Sequence, residues 1–192
     1  MKIGILAVQG AFAEHITTLQ KLNIDAIPVR LPAELNGLDG LIIPGGESTS
    51  INHLMLVYNL KPAIIERARA GMPVWGTCAG MILMAKEIPG SDIEPLGLMD
   101  ITVRRNAFGR QKDSFETEID IPVLGEDPFP GVFIRAPLIE RVNNGVTVLS
   151  KLENGTIVAA RQGNFLSSSF HPELTKDPRF HNYFLEIARH KL

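Results

Sequence analysis

Short apolar runs alternate with helix-forming stretches through the first half of the chain, and that alternation restricts the fold more than any other feature. Lys2 to Val8 reads as a buried strand, Phe12 to Leu22 as an amphipathic helix and Asp25 to Arg30 as a second strand. Gly40 to Ile43 gives a third strand. Pro44 to Thr49 is a loop entering a helix from about Ser50, Pro62 to Ala70 is another helix, and an apolar run ending at Gly76 is a fourth strand. Strands that alternate with helices pair in parallel through right-handed crossovers and bury both faces of their sheet. From Gly97 to Phe170 the pattern changes to short β-like runs (Ile101 to Val103, Phe115 to Ile121, Val132 to Ile134, Val146 to Leu149, Ile157 to Arg161), broken by Gly, Pro and Asn143-Asn144-Gly145. These predict antiparallel strands added to the parallel core. Pro178 to His190 then closes the chain as a helix with Phe180, Phe184, Leu185 and Ile187 on one face. The expectation is an α/β fold, a mostly parallel central sheet with helices on both faces and added antiparallel strands, forming one domain over residues 1–192.

Within that frame Cys78, the only cysteine, occupies Trp75-Gly76-Thr77-Cys78-Ala79-Gly80-Met81. A strand ends there and helix formers follow, so the cysteine sits on a sharp strand-to-helix turn with small neighbours on both sides. Backbone N–H groups and the positive end of the helix dipole lie beside the sulfur, an environment that supports a reactive thiolate. A lone cysteine is also commonly buried as an inert small hydrophobe. What favours the reactive reading is Phe165-Leu166-Ser167-Ser168-Ser169-Phe170-His171-Pro172-Glu173. In an extended backbone His171 and Glu173 face one side, so the carboxylate can reach one imidazole nitrogen while the other faces Cys78. The expected result is a Cys-His-Glu triad.

Composition excludes several alternatives. A formal net charge of −2 leaves no electrostatic footprint for nucleic acid, and no run of like charges suits a membrane surface. One cysteine forms no intramolecular disulfide, and the apolar start is too short for a signal segment, which together point to a cytoplasmic protein. The five histidines make no metal-ligand spacing with Cys78, so no metal site is expected.

Other segments supply the rest of a site. Pro44-Gly45-Gly46-Glu47-Ser48 follows a strand and belongs on the same carboxyl edge as Cys78. N–H donors near Gly46 and at Ala79 could hold an oxyanion, a contribution of roughly 3 kcal/mol per donor. Taken alone, the loop is equally a turn before a helix cap. Arg105 or Arg135 could grip a substrate carboxylate through a guanidinium fork, although each alone also suits a solvated surface.

These residues carry a resemblance. Gly76-Thr77-Cys78-Ala79-Gly80 with His171-Pro172-Glu173 resembles the triad-type, class I glutamine amidotransferases, whose architecture is flavodoxin-like. Gln9-Gly10-Ala11-Phe12-Ala13-Glu14-His15, Pro44 to Ser48, Arg105-Asn106-Ala107-Phe108-Gly109-Arg110-Gln111 and Phe133-Ile134-Arg135-Ala136-Pro137 narrow it towards the glutaminase subunits of pyridoxal 5′-phosphate synthase. The resemblance implies Cys78 as nucleophile, His171 as base and later acid, and Glu173 as orienting carboxylate. It further implies that Gly46, Glu47, Ser48, Arg105, Ile134 and Arg135 contact L-glutamine, with Gln9, Glu14 and His15 near the site or the subunit contact. No metal or organic cofactor is implied. The partner is expected to be a (β/α)8-barrel synthase subunit, in a large hetero-oligomer, that receives ammonia and makes the vitamin B6 cofactor. The glutaminase subunit of another amidotransferase is the nearest alternative. A small α/β cysteine protein of the peptidase or stress-chaperone type is another, and glutamine turnover separates it from both.

Overall fold

The computed structural model describes residues 1–105 and 114–190. The sequence segment at 106–111 therefore lies outside the described residues. In chain order the elements are β1 (Lys2–Leu6), α1 (Phe12–Lys21), β2 (Asp25–Val29), β3 (Gly40–Ile43), α2 (Ser48–Val57), α3 (Leu60–Arg69), β4 (Val74–Thr77), α4 (Ala79–Met84), β5 (Ala85–Glu87), β6 (Met99–Arg104), β7 (Ser114–Ile119), β8 (Phe129–Ile134), β9 (Leu138–Val142), β10 (Thr147–Lys151), β11 (Ile157–Gln162), β12 (Phe165–Ser168) and α5 (Arg179–Arg189).

The sheet runs β2-β1-β3-β4-β12-β11-β9-β6-β5, with β10 paired to β11, and β7 and β8 form a separate hairpin. β1 to β4 and β12 are mutually parallel. β11 is antiparallel to β12, and β9 is antiparallel to β6. The added antiparallel strands are present, and β12, which was not among the runs expected to be antiparallel, pairs in parallel with β4 and completes the core sheet. The strands β5 and β9 carry weak alternation in the sequence and were not expected; β5 is three residues long, and β9 reads Leu-Ile-Glu-Arg-Val.

Alternation along the strands assigns the two cores. In β3, Leu41 and Ile43 face one side with Ile51, Ile64 and Met81 of α2, α3 and α4. Ile42 faces the other with Leu19 of α1, Trp75 of β4, and Phe180 and Phe184 of α5. A strand buried on both faces cannot alternate with polar residues, which is why β1 and β3 read as continuous apolar runs. α5 buries Phe180, His181, Phe184, Leu185, Ile187 and Ala188 on one face, the pattern of an amphipathic helix on a sheet. No helix of the described residues is long and apolar enough to cross a membrane.

Candidate active site

The site begins with strand register. Thr77 of β4 pairs with Ser168 of β12, so the residues that follow these strands emerge side by side at one carboxyl edge. Cys78 comes one residue after Thr77, and His171 comes three after Ser168. The Cys78 N–H donates to the Ser168 carbonyl at 2.8 Å, and the His171 N–H donates to the Val132 carbonyl of β8 at 2.8 Å. Cys78 and His171 are therefore both pinned by backbone before any side-chain contact is made.

Cys78 has φ 48° and ψ −105°, a strained conformation for a residue with a Cβ. The turn closes because its flanks are bare. A Cβ on Gly76 would meet the Gly80 backbone at 2.5 Å, and one on Gly80 would meet the Ile43 carbonyl at 2.0 Å. Only glycine lets α4 start this close to β3 and β4, and this packing turns the sulfur outward.

His171 Nδ1 lies 2.7 Å from Glu173 Oε1. The pair does not meet across an extended backbone as the sequence suggested; Pro172–Leu174 forms a 3₁₀ turn that folds the carboxylate back to the ring. Burial is the largest influence on His171 and disfavours its charge. The hydrogen bond with Cys78, followed by the hydrogen bond and charge of Glu173, overcomes that penalty and raises its pKa to about 10. Burial likewise pushes the Glu173 carboxyl up, but the neighbouring His15 and the hydrogen bond and charge of His171 hold it below the usual value.

The sulfur opens on a cleft of about 450 Å³ lined by Gln9, Gly46, Glu47, Ser48, Cys78, Ala79, Arg105, Ile134, Arg135 and His171, which brings ten of the thirteen candidate residues together. Cys78 Sγ lies 3.9 Å from the Ile134 carbonyl oxygen. Arg135, next in the chain, has φ 42°, so strain marks both walls of the cleft. Ala79 is the first residue of α4, and amides in a first helical turn have no intrahelical acceptor. The Gln9 side-chain oxygen accepts the Glu47 N–H at 2.9 Å, tying β1's exit to the glycine loop.

Glu47 has a structural task as well. Its carboxylate accepts from the Thr49 and Ser50 N–H groups and caps α2. Burial would raise its pKa, but these hydrogen bonds, led by the Ser50 amide, keep it below the ordinary value. Arg105 Nη2 stands 3.5 Å from Glu47 Oε1, and its Nη1 is 3.4 Å from Ser91 Oγ.

Three candidates lie elsewhere. Glu173 is buried behind His171, and Glu14 is exposed on α1. Of the two places expected for His15, the structure gives the one near the site and not the subunit contact: its ring has no exposed surface and points inward towards Glu173. On an α-helix successive side chains diverge by about 100°, so His15 points into the sheet while Glu14 stays exposed. Sequence reading missed Gly45, whose added Cβ would stand 2.4 Å from His171 Cε1, and His181, which contacts His15. The position of His181 among the apolar residues of α5 was the available signal. Among the described residues no group of His, Cys, Asp or Glu could hold a metal ion.

This constellation can form a thioester and hydrolyse it, and comparison with known proteins identifies its kind. The model of the SNO glutamine amidotransferase family matches residues 5–190. A pyridoxal 5′-phosphate synthase subunit PdxT from Herpetosiphon aurantiacus is 58% identical over 97% of this chain and 100% of its own length. The PdxT of Dehalococcoides mccartyi is 57% identical over 98% of each chain. A crystal structure of a glutamine amidotransferase superposes with a TM-score of 0.92 at 48% identity, covering 97% of this chain and 98% of that one. On this sequence match across nearly its whole length, the chain belongs to the SNO glutamine amidotransferase family.

Proposed function

We propose that this chain is the glutaminase subunit of a pyridoxal 5′-phosphate synthase. It hydrolyses L-glutamine to L-glutamate and ammonia through Cys78, His171 and Glu173. The observation that carries the reading is the 2.7 Å contact between Glu173 and His171 beside an elbow cysteine at the cleft floor. Family membership and the PdxT relatives support it.

The Cys78 sulfur attacks the side-chain carboxamide carbon, and the oxygen takes up negative charge as the tetrahedral intermediate forms. N–H groups of Gly46 and Ala79 receive that oxyanion, and the remaining contacts to substrate fall to Glu47, Ser48, Arg105, Ile134 and Arg135. His171 gives its Nε2 proton to the departing nitrogen, so the C–N bond breaks with ammonia as leaving group and a thioester remains. Its raised pKa suits it to hold that proton in the resting enzyme. Neutral His171 then takes a proton from water, hydroxide adds to the thioester, and the C–S bond breaks to release glutamate. Glu173 keeps the proton on Nδ1 throughout and stabilises the imidazolium. All the groups in these steps are side chains, backbone amides and water.

The ammonia goes to a separate synthase subunit. In this reading the partner is a (β/α)8 barrel within a large hetero-oligomer in the cytoplasm, docking over Gln9 and the exposed Glu14 side of α1. Docking completes the oxyanion hole through the loop 45–48, so binding energy assembles the site. The test is glutamine hydrolysis by the isolated chain and again with saturating synthase subunit. A rise on adding the subunit, lost when Glu14 is reversed in charge, supports the arrangement. Equal rates reject partner activation, and a complex that releases no glutamate rejects the glutaminase reading.

A further inference from the structure

Behind the triad lies a second run of buried polar groups that the hydrolytic steps do not use. His15 of α1 and His181 of α5 both have no exposed surface. His15 Nε2 stands 3.4 Å from Glu173 Oε2 and 3.3 Å from Thr77 Oγ1, while its Nδ1 stands 3.0 Å from His181 Nε2. Trp75 packs edge-on to both rings, with centroids 5.4 and 5.0 Å away, so the pair is clamped in place. Glu173 Oε2 is buried and receives no hydrogen bond of good geometry, and His181 Nδ1 is buried without a partner.

These contacts select one set of tautomers. Burial is the largest influence on both histidines and lowers both pKa values, for His15 against the opposing charge of Glu173, so the neutral ring is favoured in each. A neutral imidazole has one donor and one acceptor nitrogen, and an ionised carboxylate only accepts. The nitrogen of His15 that faces Glu173 must therefore carry the proton. Its Nδ1 is then an acceptor, which His181 Nε2–H fills, and the unpartnered His181 Nδ1 is a bare lone pair instead of a stranded N–H. The reverse arrangement aims a lone pair at the carboxylate and buries an N–H with nothing to accept it. In the preferred arrangement the Nε2–H of His15 is shared between the Thr77 hydroxyl oxygen and Glu173 Oε2.

We propose that His15, as the Nε2–H tautomer fixed by His181, is a positioning residue that holds the second oxygen of Glu173 and thereby aims the first at His171. The proposal rests on the glutaminase reading. At 3.4 Å the contact is loose in the resting chain, as catalytic hydrogen bonds often are before substrate binds. The titratable groups facing His15 are Glu173, His171, His181 and Glu14 of its own helix; those facing Glu173 are His15 and His171. His15 thus touches neither the substrate cleft nor the sulfur, and its effect passes through the carboxylate.

The experiment compares wild type, Cys78→Ala, His15→Leu and His15→Gln, each saturated with synthase subunit, for glutamine hydrolysis across the acid limb. His15→Leu removes the donor and lowers kcat about tenfold with KM unchanged, the size expected for a lost hydrogen bond to a charged group. It also moves the acid limb to higher pH, because Glu173 loses a group that favours its ionised form. His15→Gln keeps an N–H where Nε2 stood and restores most of both. Independently, imidazole ¹⁵N shifts of the wild-type chain show the proton on Nε2 and none on Nδ1 in His15 and in His181, a measurement that needs no variant to fold. Wild-type kcat and acid limb in His15→Leu would overturn the proposal. So would equal impairment of Leu and Gln variants with an unmoved limb, or a protonated Nδ1 on His15. A wild-type complex inactive towards glutamine, or a fully active Cys78→Ala, instead overturns the underlying reading, and the tautomers still decide the arrangement of the histidines.

Discussion

Gly45 and His171 are packed so closely that a Cβ on the glycine would stand 2.4 Å from the imidazole Cε1. The same atom would lie 3.1 Å from Nδ1 and 3.3 Å from the Cys78 Cβ, so a single methyl group presses on both the imidazole and the cysteine. Gly45→Ala should reduce kcat by about 100-fold, because catalysis is sensitive to displacements well below the width of an atom. The overpacking should cost about 1–3 kcal/mol of stability, leaving a folded protein. Steady-state kinetics and urea unfolding on one preparation check both numbers. A variant with wild-type kcat would show that the ring is not held where the structure places it.

Cys78→Ala should abolish hydrolysis while unfolding near the wild-type denaturant midpoint. The backbone at φ 48°, ψ −105° disfavours any Cβ, and alanine keeps that strain. Cys78→Gly should therefore be more stable than Cys78→Ala by about 1 kcal/mol, after allowing for the greater freedom of glycine in the unfolded chain. Identical midpoints for the two variants would mean the elbow stores no strain.

How far the sequence revealed this site depends on the range of the interactions. The elbow was legible because Gly76, Gly80 and Cys78 lie within five residues, and the strain they permit is local. The His171 and Glu173 partnership was also legible, although a 3₁₀ turn and not an extended pleat brings the two together. The parallel pairing of β12 with β4 was not, since nothing within Phe165 to Ser168 says which neighbour it will have. The resemblance put Glu14 and His15 together near the site or the subunit contact, with no direction for either side chain. The inward direction of His15 follows only from the packing of α1 against the sheet and of α5 beside it. Glu47 was read as a substrate contact, and its capping of α2 appears only when the loop geometry is known.

The titrating groups predict a two-sided stability profile. His171 has a folded pKa of about 10 against 6.5, so its contribution is complete below pH 6.5 and is lost as pH rises through about 10. Glu173, lowered from 4.5, contributes above that value and loses its contribution as pH falls through its folded pKa. His15 and His181 add to the acid side, since below 6.5 their unfolded forms bind protons that the buried rings refuse. Urea midpoints should fall at both ends. In Cys78→Ala the alkaline fall should begin at lower pH, because the sulfur that helps to raise His171 is gone. An unmoved alkaline limb in that variant would contradict the assignment.

Binding and chemistry should separate at the arginines. Arg105 is tied only loosely, 3.5 Å from Glu47 and 3.4 Å from Ser91, so a substrate carboxylate can take its guanidinium over. Arg105→Ala should raise KM about tenfold with kcat little changed, whereas His171→Asn should collapse kcat. Arg135→Ala is the parallel test on the opposite wall. Unchanged glutamine kinetics in both arginine variants would leave the cleft with backbone contacts alone at Ile134 and Arg135.

The register of β12 against β4 sets when the enzyme can first act. Cys78 belongs to the first half of the chain, but His171 follows a strand inserted between β4 and β11 that comes much later in the sequence. A ribosome-bound chain that has exposed only its first 164 residues carries the cysteine elbow in a sheet still missing that inner strand, with no imidazole beside the sulfur. The imidazole reaches the sulfur only when β12 and the turn after it have closed the sheet.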